Sequence, residues 1–197
     1  MKNETLTPEE SFDIITKAIS NFRVNYRENS KSFLLWGWIM SLASFSHFAL
    51  IKILISQEAY DHMLLFSIGI WAIYVLIGFI IEYFSYRKLS KDKKVFNHLD
   101  RYLNYLWKVT GFSIPILIFL AVRLDIPPPP IFLLIMGIAT TITGLFINFR
   151  PVILGGVAFF LFAIASSFFT NEYTLLITGT AVICCYLVPG YMLKSAK

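Results

Sequence analysis

Apolar positions in this chain form first a sparse stripe and then six long blocks. Phe12, Ile15, Ile19, Phe22 and Tyr26 recur at spacings of three and four, with Asp13, Lys17, Arg23 and Arg27 on the other side. That spacing predicts an amphipathic helix reaching to about Asn29. Its start is written in Thr7-Pro8-Glu9-Glu10, with Thr7 as N-cap, Pro8 at the first helical position and Glu10 closing a capping box. The blocks run over residues 33–55, 63–84, 109–122, 131–149, 152–169 and 174–193. A helix needs about 20 apolar residues to cross a bilayer, and five of the blocks meet or approach that length. The third does so only if Tyr102 to Trp107 begins the same helix, which then spans about 105–122 with a bend expected at Pro115.

The pattern predicts an all-α fold: an integral membrane six-helix bundle with an N-terminal amphipathic interfacial helix. Residues 1–32 form a tail carrying that helix, 33–193 the six-span domain, 86–108 a basic connector within it and 194–197 a second tail. Composition agrees. Hydrophobic residues make up 57% and charged residues 15%, with mean hydropathy +0.68, whereas about a quarter of a soluble chain is charged. About thirty polar or amphipathic residues precede the first block, unlike a cleavable signal peptide, so the first span is expected to remain as an anchor.

A net charge of +5 in a soluble protein would suggest nucleic acid. Here the cations sit in short segments between apolar blocks, which makes them topological signals and no nucleic-acid site. All of the 17 lysines and arginines except Lys52 and Arg123 fall in the first tail, the basic connector, the Arg150 turn or the last tail. An even number of spans with both termini cytoplasmic fits this distribution. Most tryptophans and tyrosines fall near the proposed surfaces, but Trp71 falls well inside the second span. Pro127 to Pro130 is expected to be a stiff, extended spacer between two three-span halves, which show no residue-level match to each other.

Small residues mark expected packing faces: Gly37, Ser41 and Ser44 on the first span, Thr140 and Gly144 on the fourth, Gly155, Gly156, Ala163 and Ser167 on the fifth. His47 extends the first of these faces. It is either a ligand or proton-relay residue in a cavity shared with Ser44, Thr140 and Asn148, or one interhelical hydrogen bond. No carboxylate accompanies it in its span, which favours the second. Glu82 lies near the inner surface, where an ion pair with Arg150, Lys108 or Arg87 is expected. Arg123 and Asp125 are read as an outer cap of the third span, and Val188-Pro189-Gly190 as a break or bend in the last. His98, Asp100 and Arg101 accompany Phe96, Leu99, Leu103 and Leu106, the spacing of an amphipathic helix and no catalytic triad.

Zinc-protease, nucleophile-elbow and phosphate-loop motifs are absent, and His47, His62 and His98 are too scattered for a metal site. No cofactor is expected. Cys184 and Cys185 are adjacent, so a bridge between them would be strained and free thiols are expected.

Thr7-Pro8-Glu9-Glu10-Ser11, Arg27-Glu28-Asn29-Ser30, Phe33-Leu34-Leu35-Trp36-Gly37-Trp38 and Val188-Pro189-Gly190 together resemble a group of small, uncharacterised multi-span proteins of the bacterial inner membrane. The resemblance implies that location, no particular activity and, through neighbouring genes for a small winged-helix regulator, a regulated or sensing role. The expected function is non-enzymatic: a scaffold, sensor or accessory subunit presenting the stripe of Phe12, Ile15, Ile19, Phe22 and Tyr26 to anionic headgroups, a second copy or a protein partner. A small transporter is the alternative, and an intramembrane enzyme the third.

Overall fold

The computed structural model describes Thr7, Phe12 and residues 30–89 and 98–195. Phe12 is exposed, and the rest of the expected stripe, Ile15, Ile19, Phe22 and Tyr26, lies outside the described residues. The chain folds as α1 (Ser30–Ser56), a 3-10 turn (Tyr60–His62), α2 (Met63–Leu89), α3 (His98–Arg123), α4 (Pro128–Phe146), α5 (Arg150–Ser167), α6 (Tyr173–Val182), a π turn (Ile183–Leu187) and α7 (Val188–Ser195). No strand occurs among the described residues. With α6, the π turn and α7 forming one continuous rod, six helices are long and apolar enough to cross a membrane. Helix satisfies every backbone group within the segment, as hydrocarbon requires.

Three of the rods end in the same way. Glu58, Asp125 and Asn148 have φ of 56°, 57° and 49°. In each, the next residue's N–H returns to a carbonyl five residues back: Ala59 to Leu54, Ile126 to Ala121, Phe149 to Gly144. These are Schellman endings, in which one left-handed residue turns the chain out of the helix. Asp125 closes α3 by its backbone in this way.

The proline run departs from expectation. Only Pro127 is extended, with ψ 123°, and Pro128–Pro130 form the first turn of α4. The first turn's N–H groups have no intrahelical acceptor, so prolines there lose nothing and their fixed φ suits the helix. Val188-Pro189-Gly190 likewise does not end the last rod, which continues to Ser195. Pro189 has no N–H for the carbonyl of Cys185, four residues earlier. The backbone widens instead, and Val188 N–H bonds to Ile183 O, five residues back. Gly155 packs against the freed Cys185 carbonyl, where a side chain would collide.

Neighbouring rods pack in the order α2, α1, α6, α5, α4, α3, with α6 also touching α4. Among the described residues the order does not close: α2 packs on α1 and α3 on α4, without a packed interface between α2 and α3. The core lies among α1, α4, α5 and α6, around Phe33, Leu133, Met136, Phe159, Val182 and Tyr186. Tyr186 stacks on Phe33 at 3.7 Å between ring centres, and Trp107 of α3 meets both edge-on. α2 and α3 are the least covered rods.

Candidate functional site

Among the described residues, side-chain hydrogen bonds from one helix to another concentrate between α1 and α2. These helices run antiparallel, and three rungs join them. Near one end Trp36 Nε1 donates to Glu82 Oε2 at 3.0 Å. Above it Gly78 lies under Ile39 and the Trp36 ring, close enough that a Cβ would stand 2.8 Å from Ile39 Cδ1. Next, the hydroxyls of Ser46 and Tyr74 share a hydrogen bond of 2.7 Å. Beside it His47 uses both ring nitrogens: Trp71 Nε1 donates to Nδ1 at 3.1 Å, and Nε2 meets Ser67 Oγ at 2.8 Å.

An indole N–H can only donate, so Nδ1 carries the lone pair and the ring proton sits on Nε2, pointing at Ser67. This is a neutral imidazole with no nitrogen left over. Trp71, out of place among the interfacial aromatics, is placed by this bond. Its ring centre also lies 6.4 Å from that of Phe132 on α4.

The residues expected to share a cavity with His47 are not brought together. Ser44 Oγ donates to the Leu175 carbonyl on α6 at 2.7 Å. Thr140 is fully buried on α4, and Asn148 is exposed as the left-handed residue of the α4–α5 turn. Asparagine suits that turn because its short side chain tolerates positive φ. The Thr140 and Thr141 hydroxyls have no hydrogen-bond partner. Thr141 instead faces Gly156, where the α4 and α5 backbones come close. A shallow crevice between α3 and α4, lined by Ile114, Leu117, Ile118, Pro128, Ile131, Phe132 and Ile135, is wholly apolar.

Glu82 is joined to Trp36, and no ion pair links it to Arg150 among the described residues. Arg150 is exposed at the start of α5. The bond from the Trp36 indole to Glu82 was not legible from charge alone, because an indole carries none. At the opposite end Lys52 Nζ bonds Glu172 Oε1 at 2.5 Å and lies 4.7 Å from the centre of the Tyr173 ring. This latch ties α1 to the α5–α6 turn, and the Lys52 ammonium holds the Glu172 carboxyl below its ordinary pKa.

Cations mark one end of the bundle. Lys31, Arg87, Arg101, Lys108, Arg150 and Lys194 are all exposed there, with Arg87 over the Tyr83 ring and Lys108 beside Tyr105. Glu58, Asp61, Asp125 and Glu172 lie at the other end. No group of three or more metal-ligating side chains occurs among the described residues. Cys184 is exposed and Cys185 buried, and both are free thiols.

His47→Leu is expected to leave the Trp71 indole without an acceptor and Ser67 without a donor. Hydrogen bonds between membrane helices average about 0.6 kcal/mol and reach about 1.7, so two together set a loss of about 1–2 kcal/mol. Unfolding of the detergent-solubilised protein by added SDS measures it, and a shift in Trp71 emission reports the freed indole.

The chemistry of the α1–α2 interface is therefore that of a joint between helices, with four side-chain hydrogen bonds directed across it. Comparison with known proteins finds no matching family model, no matching curated protein and no matching solved structure.

Proposed function

We propose that this chain is a non-enzymatic multi-pass protein of the bacterial inner membrane, a scaffold, sensor or accessory subunit with both termini in the cytoplasm. It presents its N-terminal amphipathic stripe to anionic lipid or to a partner protein. The observation that carries this reading is the engagement of His47. A small transporter places its polar residues around a cavity near the midplane. Here His47 joins α1 to α2, Ser44 joins α1 to α6, and the crevice between α3 and α4 is apolar. The cations gathered at one end of the rods support the cytoplasmic assignment through the positive-inside bias. The resemblance to small bacterial inner-membrane proteins supports the location.

The test changes Phe12, Ile19 and Phe22 together to Asp in the full-length chain. Association with anionic vesicles or with co-purifying protein is expected to fall, while protease mapping still finds six inserted spans. Undiminished association removes the stripe from the function. A tag after Lys197 reached only from the periplasm overturns the orientation.

A further inference from the structure

We propose that His47 is a proton-operated release for Trp71, so that acid on the outer side of the membrane loosens α2 from α1 and α4. The inference deepens the sensor reading above and takes the end opposite the cations to be the outer one, as proposed there.

The two states exclude each other by geometry. A neutral imidazole has one in-plane lone pair, and here the Trp71 indole N–H, 3.1 Å away, occupies it at Nδ1. Nε2 already carries its proton, directed at Ser67 Oγ. A proton arriving from the outer water can therefore bind only at Nδ1, and it must displace the indole to do so. The indole keeps its own hydrogen and loses its acceptor. Ser67 accepts from Nε2 in both states, so that bond persists while Trp71 departs.

Charges around His47 are committed elsewhere. On α1, Lys52 is held by Glu172 and Tyr173, the titratable groups that the start of α6 brings to this half of the helix. On α2, the Tyr74 hydroxyl bonds Ser46, while Glu82, Tyr83 and Arg87 stand at the basic end. Tyr60, Asp61 and His62 form the 3-10 turn at the outer end. The π turn and α7, with Cys184, Cys185, Tyr186, Tyr191 and Lys194, meet α1 at Phe33, Gly37 and Trp38, toward the basic end. α4 carries no titratable side chain. No carboxylate bonds His47 among the described residues, so an imidazolium there gains by turning toward water. The half-buried Ser67, one turn into α2 from Met63, marks the way out.

Release reaches beyond one bond. The Trp71 ring lies 6.4 Å from Phe132 and is the aromatic link from α2 to α4. Histidine protonation acts as a switch where it tips such a packed contact between two arrangements.

The experiment is NMR of the full chain in nanodiscs, where water reaches both faces, with 15N in the indoles and histidine rings. The titration runs from about pH 8 to about pH 4, across the range in which histidine ordinarily changes charge. His47 Nδ1 is expected to gain its proton and the Trp71 indole resonance to move with one shared midpoint. The ratio of released to joined forms should change about tenfold per pH unit, as one proton requires. The cross-peak between the Trp71 and Phe132 rings should fade in step. His47→Gln, whose side-chain carbonyl can still accept from Trp71, is expected to hold the Trp71 resonance still, and Glu172→Gln to leave the titration in place. A static Trp71 in the unaltered chain, separate midpoints for the two rings, or a titration that persists in His47→Gln overturns the release. Loss of the titration in Glu172→Gln moves the proton to the Lys52 pair and also overturns it. Should His47→Gln not fold, the two midpoints in the unaltered chain decide. Nanodiscs do not read orientation or the Phe12 stripe, so either reading can fail while the other stands.

Discussion

Gly156→Ala is expected to destabilise the bundle by about 3 kcal/mol, the upper end of what overpacking ordinarily costs. A methyl at Gly156 would stand 2.5 Å from the Thr141 backbone nitrogen and 2.7 Å from its Cα. Those atoms cannot step aside as a side-chain tip can. They belong to α4, which a short turn ties to α5 at Ile147–Phe149 and which meets α5 again at Gly144 under Ile153. In lipid no hydrophobic drive holds helices together, so losing the close approach loses the attraction itself. Reversible unfolding in SDS, followed by circular dichroism, measures the change. Gly69→Ala is the matched control: nothing lies within 4 Å of its missing side chain, so its effect is expected to stay within about 0.5 kcal/mol.

Tyr186→Ala is expected to cost about 2–3 kcal/mol and to loosen α3. Tyr186 is 3% exposed, stacks on Phe33 and receives the edge of Trp107, so one ring fixes α1, α3 and the last rod together. Aromatic truncation in a water-soluble core costs about 3–5 kcal/mol, part of it transfer from water. Lipid is as apolar as the core, which removes most of that part and leaves the lost contacts and the cavity. The same SDS titration measures the stability. Faster proteolysis near Arg101 reports the release of α3, and protection equal to the unaltered chain would show that α3 is held elsewhere.

The six rods were legible because lipid imposes one rule on every span, and run length alone satisfies it. Charge placement was equally plain along the chain. Polar detail inside the bundle was not, because the same residue types serve several purposes. His47 could be recognised as needing a partner, but its partners Ser67 and Trp71 come from another rod, and the pairing depends on how two antiparallel helices register. Trp71 was visible as an exception to the interfacial pattern, and that exception was the signal. Asn148 was misplaced for a different reason: a polar residue at the end of an apolar block looks like a cavity residue until its φ of 49° is known. The proline run misled because proline favours extended chain in isolation yet suits the first helical turn.

The hydrogen bond from Ser44 to Leu175 spans 131 residues of chain. At about 5–20 residues per second, a ribosome needs roughly 7–26 s to make that stretch. During the wait α1 has entered the bilayer but its main neighbour does not yet exist. The rungs from α2, made of side chains that arrive within about 50 residues, shelter Ser46 and His47 through the interval. On this view the α1–α2 joint serves assembly first, as a temporary companion that the finished bundle keeps.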